Sequence, residues 1–181
     1  VTGLLEAAKL HTIIGHMKSR HIHIAVLTET HVKEPDTFRI EGHTIIHSAD
    51  AKKDDKGGLI QTFTGVTIIL APRVDTLIQD CRLLHGRLLH FTIDTALAPL
   101  KVIALYSLHN GHNPADRQKF WDELEDLVTD TPDSTNLLLL GDFNAQPHCL
   151  PEDKCEIMGP AFTPFTANAD SNEEMLRNLL K

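Results

Sequence analysis

The chain has 181 residues, 41% hydrophobic and 23% charged, which suits one globular domain with its own core and no low-complexity tract. Seventeen basic residues against 25 acidic ones give a formal charge of −8 with histidine neutral. That balance argues against a broad electrostatic grip on nucleic acid and requires any action on phosphate to come from a local site. The longest obvious apolar run includes Leu137 to Leu140, far too short to cross a bilayer, and no secretory leader is visible. Three cysteines, Cys81, Cys149 and Cys155, lack disulfide-type spacing and point to a reducing, intracellular setting, nuclear or cytoplasmic.

In chain order, Ala7, Leu10, Ile13, Ile14 and Met17 fall on one face at helical spacing and predict an amphipathic helix over 4–20. IHIAVL (22–27) is a short apolar run rich in β-branched residues, a buried strand ending in Thr28, Glu29, Thr30 and His31. HTIIH (43–47) and GLIQTFTGVTIIL (58–70) predict further strands, with Gly57 and Gly58 marking a turn after the charged stretch KKDDK. Segments 74–84 and 87–94 suggest a hairpin around His85 and Gly86, and KVIALY (101–106) a buried strand that stops at Tyr106. Pro114 opens a second helix at a position where its missing N–H costs nothing, with Phe120, Trp121, Leu124, Leu127 and Val128 along one face. LLLLG (137–141) then predicts another buried strand, after which Pro, Asp, Asn and Thr mark an irregular segment. The chain ends in an amphipathic fragment, EEMLRNLLK. Two helices that each precede a buried strand imply layered α/β packing with mixed sheets in a single domain, 1–181.

Three of these strands end in polar side chains: Glu29, Tyr106, and the pair Asp142 and Asn144. Ligand sites of open α/β sheets gather beyond the carboxyl ends of strands. One carboxylate suits a hard cation such as Mg²⁺, which takes few protein ligands and keeps waters for substrate phosphate to displace. A second carboxylate suits proton removal from water, and an amide and a phenol suit phosphate oxygens. Together these are the parts of metal-assisted phosphoester hydrolysis. Taken singly, each has a plainer explanation. A lone Glu after a strand is usually a solvated turn residue. Asp142 and Asn144 suit an Asx-turn, and Tyr106 a core residue with a satisfied hydroxyl.

GDFN after a hydrophobic run, with LTETH at an earlier strand end, resembles the endonuclease/exonuclease/phosphatase superfamily. Within it the chain is most similar to the apurinic-type endonuclease domain of non-LTR (LINE-like) retrotransposons. The likeness runs through GGLIQTFTGVTIILAPRV, HGRLL (85–89), the Tyr106 strand and PADRQKFWDELEDLV to SNEEMLRNLLK, so it covers essentially the whole chain. It implies a DNase I-like sandwich of two packed mixed β-sheets flanked by helices. It also implies Mg²⁺ (or Mn²⁺) as cofactor, DNA as substrate, and element RNA and reverse transcriptase as partners through a parent polyprotein. Glu29 resembles the metal-binding Glu, and Asp142 the Asp that activates or orients the attacking water. Asn144 is similar to the Asn that supports that water and the phosphate, and Tyr106 to the Tyr on the scissile phosphate. No membrane role is implied.

The pattern departs from the family at both ends. The family opens with a strand ending in Asn just before a segment like VTGL, and closes with a Ser-Asp-His motif beyond the last helix; neither is in this sequence. Ser107-Leu108 also replaces the small residue and Pro that follow the Tyr. The expectation is a domain truncated at both ends and impaired in isolation. Two rivals stand beside the nuclease: a phosphatase or phosphodiesterase of the same superfamily acting on inositol phosphate, lipid or nucleotide, and a catalytically dead remnant serving as a binding module. A zinc site at His148, Cys149 and Cys155 lacks a second close Cys/His pair. His21/His23, His109/His112 and the lysines Lys52, Lys53 and Lys56 suit solvated positions.

Overall fold

A computed structural model describes residues 7–60, 64–145 and 171–179. The contacts divide the chain into two compact units. The first holds residues up to Tyr106 together with Thr131–Gly141, and the second holds Ser107–Asp130 and the residues from Asp142 onward.

The first unit is built on two four-stranded sheets. One has the order β1-β6-β3-β2, formed by Ile24–Leu27 (β1), Asp36–Ile40 (β2), His43–Ser48 (β3) and Val66–Leu70 (β6). Its three pairings are antiparallel, with Ile24 opposite Leu70, Ile46 opposite Ile68, and Asp36 opposite His47. The other has the order β10-β9-β8-β7, from Ile78–His85 (β7), Leu88–Ile93 (β8), Leu100–Tyr106 (β9) and Asn136–Asp142 (β10). A small hairpin of Lys52–Lys53 (β4) and Leu59–Ile60 (β5) encloses the KKDDKGG turn, where the Asp54 carboxylate accepts the Lys56 and Gly58 amides. Lys52, Lys53 and Lys56 are exposed there, as solvated turn residues are.

Side-chain alternation decides what each face covers. Val66, Ile68 and Leu70 join Ile46, Leu89, Phe91, Ile93, Val102, Ala104 and Tyr106 in a core between the sheets. Ile69 and Ile45 point the other way and meet Leu10, Ile14 and Met17 of the helix Ala7–Ser19 (α1). Full burial of one such Ile or Leu contributes roughly 1.5–3 kcal/mol. The helix stops where His21 takes a left-handed φ of 55° and the Ile22 amide reaches back to the Met17 carbonyl. Lys18 and His11 both bond to Glu41 in the β2–β3 turn, fastening the helix to that hairpin. Those bonds, Lys18 first, hold the Glu41 carboxyl down at about 2.

The second unit contains Pro114–Thr129 (α3) and Ser171–Leu179 (α4); the four-residue helix Pro72–Asp75 (α2) belongs to the first. Asn113 caps α3 by accepting the Ala115 amide at 2.9 Å, just ahead of Pro114. Arg117, Phe120, Trp121 and Leu124 form its buried stripe. Among the described residues no helix is long and apolar enough to cross a membrane.

Three expectations change. The leucine run is not a buried strand: among the described residues β10 is an edge, with a neighbour on one side only. Leu140 packs against the core, yet Leu137 and Leu138 are each 37% exposed. The long strand expected over 58–70 is described as β5 and β6, with Gly65 in the left-handed half of φ space (128°) just before β6. The strand DTFRI (β2) was not expected, because its polar, loosely alternating composition gives little periodic signal.

Candidate active site

The residues expected at strand ends fall into two groups, Glu29 and Tyr106 in the first unit, Asp142 and Asn144 in the second.

Glu29 lies two residues beyond β1, at φ 55°, and His31 follows at φ 52°, so two non-glycine residues in the left-handed region flank Thr30. Such conformations cost on the order of 1–3 kcal/mol each and persist only where the surroundings impose them. Here the backbone is held across the gap: Thr30 N–H donates to the Gly65 carbonyl at 3.2 Å and His31 N–H to the Thr64 carbonyl at 3.2 Å. Thr30 itself is fully buried, and its hydroxyl has no hydrogen-bond partner among the described residues. That hydroxyl lies against Gly65, only 2.5 Å from where a Cβ would stand. The result turns the exposed Glu29 carboxylate toward Tyr106, whose hydroxyl donates to Glu29 Oε1 at 2.8 Å.

Tyr106 ends β9 and is 7% exposed. The Arg87 guanidinium lies 4.5 Å from the centre of its ring. Burial raises the Tyr106 phenol above its ordinary value, the Glu29 bond and charge raise it further, and Arg87 opposes both. The phenol is therefore a protonated hydrogen-bond donor at neutral pH.

Asp142 ends β10 and is exposed. Its Oδ1 accepts the Asn144 amide at 2.8 Å, so the Asx-turn expected from the sequence is present, with Asn144 at φ 45°. The turn is tied down further. Ser107 N–H donates to the Asp142 carbonyl at 2.8 Å, and Asn144 Nδ2 donates to the Ser107 carbonyl at 2.8 Å. Asn172, fully buried on α4, donates through Nδ2 to the carbonyls of Asn144 (2.9 Å) and Leu108 (2.7 Å). Trp121 Nε1 donates to the Asn172 side-chain oxygen at 3.4 Å. An Asx-turn and a working carboxylate are compatible, because the turn uses one Asp142 oxygen and the other has no partner among the described residues.

Sequence reasoning missed Asn172, Ser107 and Arg87. Asn172 and Arg87 lie in the stretches SNEEMLRNLLK and HGRLL, but nothing in one sequence separates a buried Asn or a stacked Arg from a surface one. His148, Cys149 and Cys155 lie outside the described residues. Among those described, no group of three or more His, Cys, Asp or Glu converges as a metal cage. A carboxylate with one uncommitted oxygen instead fits a hard cation that keeps most of its waters, as Mg²⁺ does.

Residues 3–156 match the Endonuclease/Exonuclease/phosphatase family, and the chain belongs to that family. Its fold is similar to the endonuclease domain of TRAS1, a telomere-specific non-LTR retrotransposon. There the identity is 16% and the TM-score 0.52, over 91% of this chain and 61% of that one. It is also similar to the AP endonuclease LMAP from Leishmania major, at 13% identity and a TM-score of 0.61, over 96% of this chain and 61% of that one. The chain thus spans about three fifths of each. No curated protein matches significantly. The two packed sheets with α1 against the outer face of one are the DNase I-like arrangement expected from the sequence.

Proposed function

We propose that this chain hydrolyses phosphodiesters with a divalent metal, as the DNA-nicking endonuclease region of a retrotransposon polyprotein. The observation that carries the reading is the Tyr106–Glu29 hydrogen bond, which holds a phenol and a carboxylate together at two strand ends. Membership of the family supports the reaction class.

In this reading Glu29 would hold Mg²⁺, or Mn²⁺. When bound, the cation supplies positive charge to the phosphate oxygens, which an acidic chain otherwise lacks. The Tyr106 hydroxyl steadies Glu29 in the free chain and turns its one hydrogen to a scissile phosphate oxygen when substrate binds. Asp142 takes a proton from the attacking water or orients it through the oxygen left over from the Asx-turn. Asn144 spends one amide hydrogen on the Ser107 carbonyl, and the other supports water or phosphate. The nick leaves a 3′ hydroxyl to prime reverse transcription, with the element RNA and reverse transcriptase as partners inside the cell.

The test is nicking of supercoiled plasmid by the full chain, with and without Mg²⁺ or Mn²⁺. Metal-dependent nicking that Asp142→Asn abolishes supports the reading. Nicking that survives Asp142→Asn removes Asp142 from its role. Phosphate release from inositol phosphates without DNA cleavage favours a phosphatase of the same family.

A further inference from the structure

Both partners of the Tyr106–Glu29 bond hang from one turn. Gly86, between β7 and β8, donates its N–H to Asp50 Oδ1 at 2.8 Å. The Ser48 hydroxyl donates to the carbonyl of His85, the residue before it. From this anchored turn two arms extend. On one side the Gly86 carbonyl accepts the Gly65 N–H at 2.8 Å, and the Gly65 carbonyl accepts the Thr30 N–H, one residue from Glu29. On the other side Arg87 grips Tyr106 at three points. Its carbonyl accepts the Tyr106 N–H at 2.9 Å, its Nη1 donates to the Tyr106 carbonyl at 3.3 Å, and its guanidinium covers the ring.

We propose that the Asp50-anchored Gly86–Arg87 turn sets the position of Glu29 and Tyr106 relative to each other, with Asp50 and Arg87 as positioning residues. The physical case is one of shared support. Glu29 sits in a left-handed conformation that its own residue type disfavours, so its position must be imposed from outside. The imposed contact is the Thr30–Gly65 bond, and Gly65 is held by Gly86. The planar guanidinium of Arg87 gives Tyr106 a cation–π face and a backbone clamp together, which the point charge of a lysine does not reproduce. Releasing the turn from Asp50 loosens both arms at once. A change at Asp50 is therefore felt at the Tyr106 hydroxyl without touching substrate.

The activity arm of the test rests on the nuclease reading, and the structural arm does not. Tyr106 is the chain's single tyrosine, so fluorotyrosine incorporated in the full chain gives one ¹⁹F resonance, that of Tyr106. Asp50→Ala is expected to shift or broaden that resonance and to lower kcat for plasmid nicking about 10–100-fold with little change in KM. Asp50→Asn keeps an oxygen for the Gly86 amide and is expected to restore both. An unchanged resonance with unchanged kcat in Asp50→Ala overturns the proposal, as does failure of Asp50→Asn to restore the resonance. If the native chain nicks nothing while Asp50→Ala still moves the resonance and Asp50→Asn restores it, the positioning role stands and the nuclease reading falls. Should Asp50→Ala fail to fold, Arg87→Lys serves in its place: a displaced resonance supports the role, and an unmoved one overturns it.

Discussion

Tyr106 donates its hydroxyl hydrogen to Glu29 Oε1 at 2.8 Å, joining residues 77 positions apart in sequence. Tyr106→Phe removes that bond and leaves the ring under Arg87. Stability is expected to fall by about 1 kcal/mol or less, since one partly exposed hydrogen bond is lost and no buried donor is orphaned. Under the proposed function nicking is expected to fall by roughly 10–100-fold, because the group that orients the carboxylate proposed to hold the metal is gone. Glu29→Gln is the complementary change, keeping an acceptor for the phenol while removing the charge. Its nicking should be poor at every Mg²⁺ concentration tried, and wild-type rates would remove Glu29 from the metal.

The second group makes separable demands on fold and chemistry. Asp142→Asn retains the oxygen that accepts the Asn144 amide, so the turn survives and the thermal midpoint should barely move. The general base of the proposed function would be lost, and on that reading nicking is expected to drop about 10²–10⁴-fold.

Asn172→Ala acts in the opposite way. It leaves the Asn144 and Leu108 carbonyls without their donor and Trp121 Nε1 without its acceptor. An orphaned buried polar group costs roughly 1–3 kcal/mol, and the two carbonyls are only partly buried and can turn to water, so a loss of about 2–4 kcal/mol is expected. Urea unfolding followed through Trp121, the single tryptophan, measures it. A wild-type urea midpoint would mean that those groups find other partners.

These positions also mark how far a sequence alone reaches. Glu29, Tyr106 and Asp142 were legible because each ends an apolar run, and β-branched or leucine-rich runs betray strands whatever the fold. The core face of β6 was legible from the same runs. The exposure of Leu137 and Leu138 was not, because apolar composition says that a strand forms and not whether a neighbour covers it. The Asp50–Gly86–Gly65–Thr30 relay was invisible for a different reason. Apart from the Asp50 carboxylate it is made of backbone groups, which every residue carries alike. The two readings of Asp142 also proved compatible, since a carboxylate has two oxygens and the turn takes one.

Gly141, the glycine of GDFN, is a steric requirement. Its φ is 140°, and a Cβ built on it would stand 1.9 Å from the Leu105 carbonyl oxygen in the neighbouring strand β9. That oxygen belongs to backbone inside a sheet and has no room to yield. Gly141→Ala is expected to cost more than about 3 kcal/mol, among the larger effects of a single methyl, through strain and forced separation of β9 and β10. Thermal unfolding of the purified variant is the check; a midpoint within a few degrees of wild type would show that the two strands separate cheaply.

His47 gives the fold a pH dependence of predictable sign. It is 4% exposed at the next-to-last position of β3, with Nδ1 2.8 Å from the Thr67 hydroxyl and its ring 5.1 Å from Phe38. Burial lowers it from 6.5 to about 4, and the charge of its cross-strand neighbour Asp36 opposes that only in part. The unfolded chain therefore takes up this proton first. The stability is fully present above pH 6.5, declines as pH falls from 6.5 towards 4, and levels off below 4. At about 1.4 kcal/mol per unit the whole loss is about 3 kcal/mol. His90, lowered mainly by burial and then by Lys101, adds a slope of the same sign. Glu41 acts at lower pH, between its usual 4.5 and about 2, so it overlaps little with this window. His47→Gln removes the titration while leaving a side chain able to bond Thr67. Urea midpoints of wild type and His47→Gln, taken at intervals from pH 7 to 4, should converge as the pH falls. Parallel curves would place the His47 proton affinity at its ordinary value and remove burial as its governing influence.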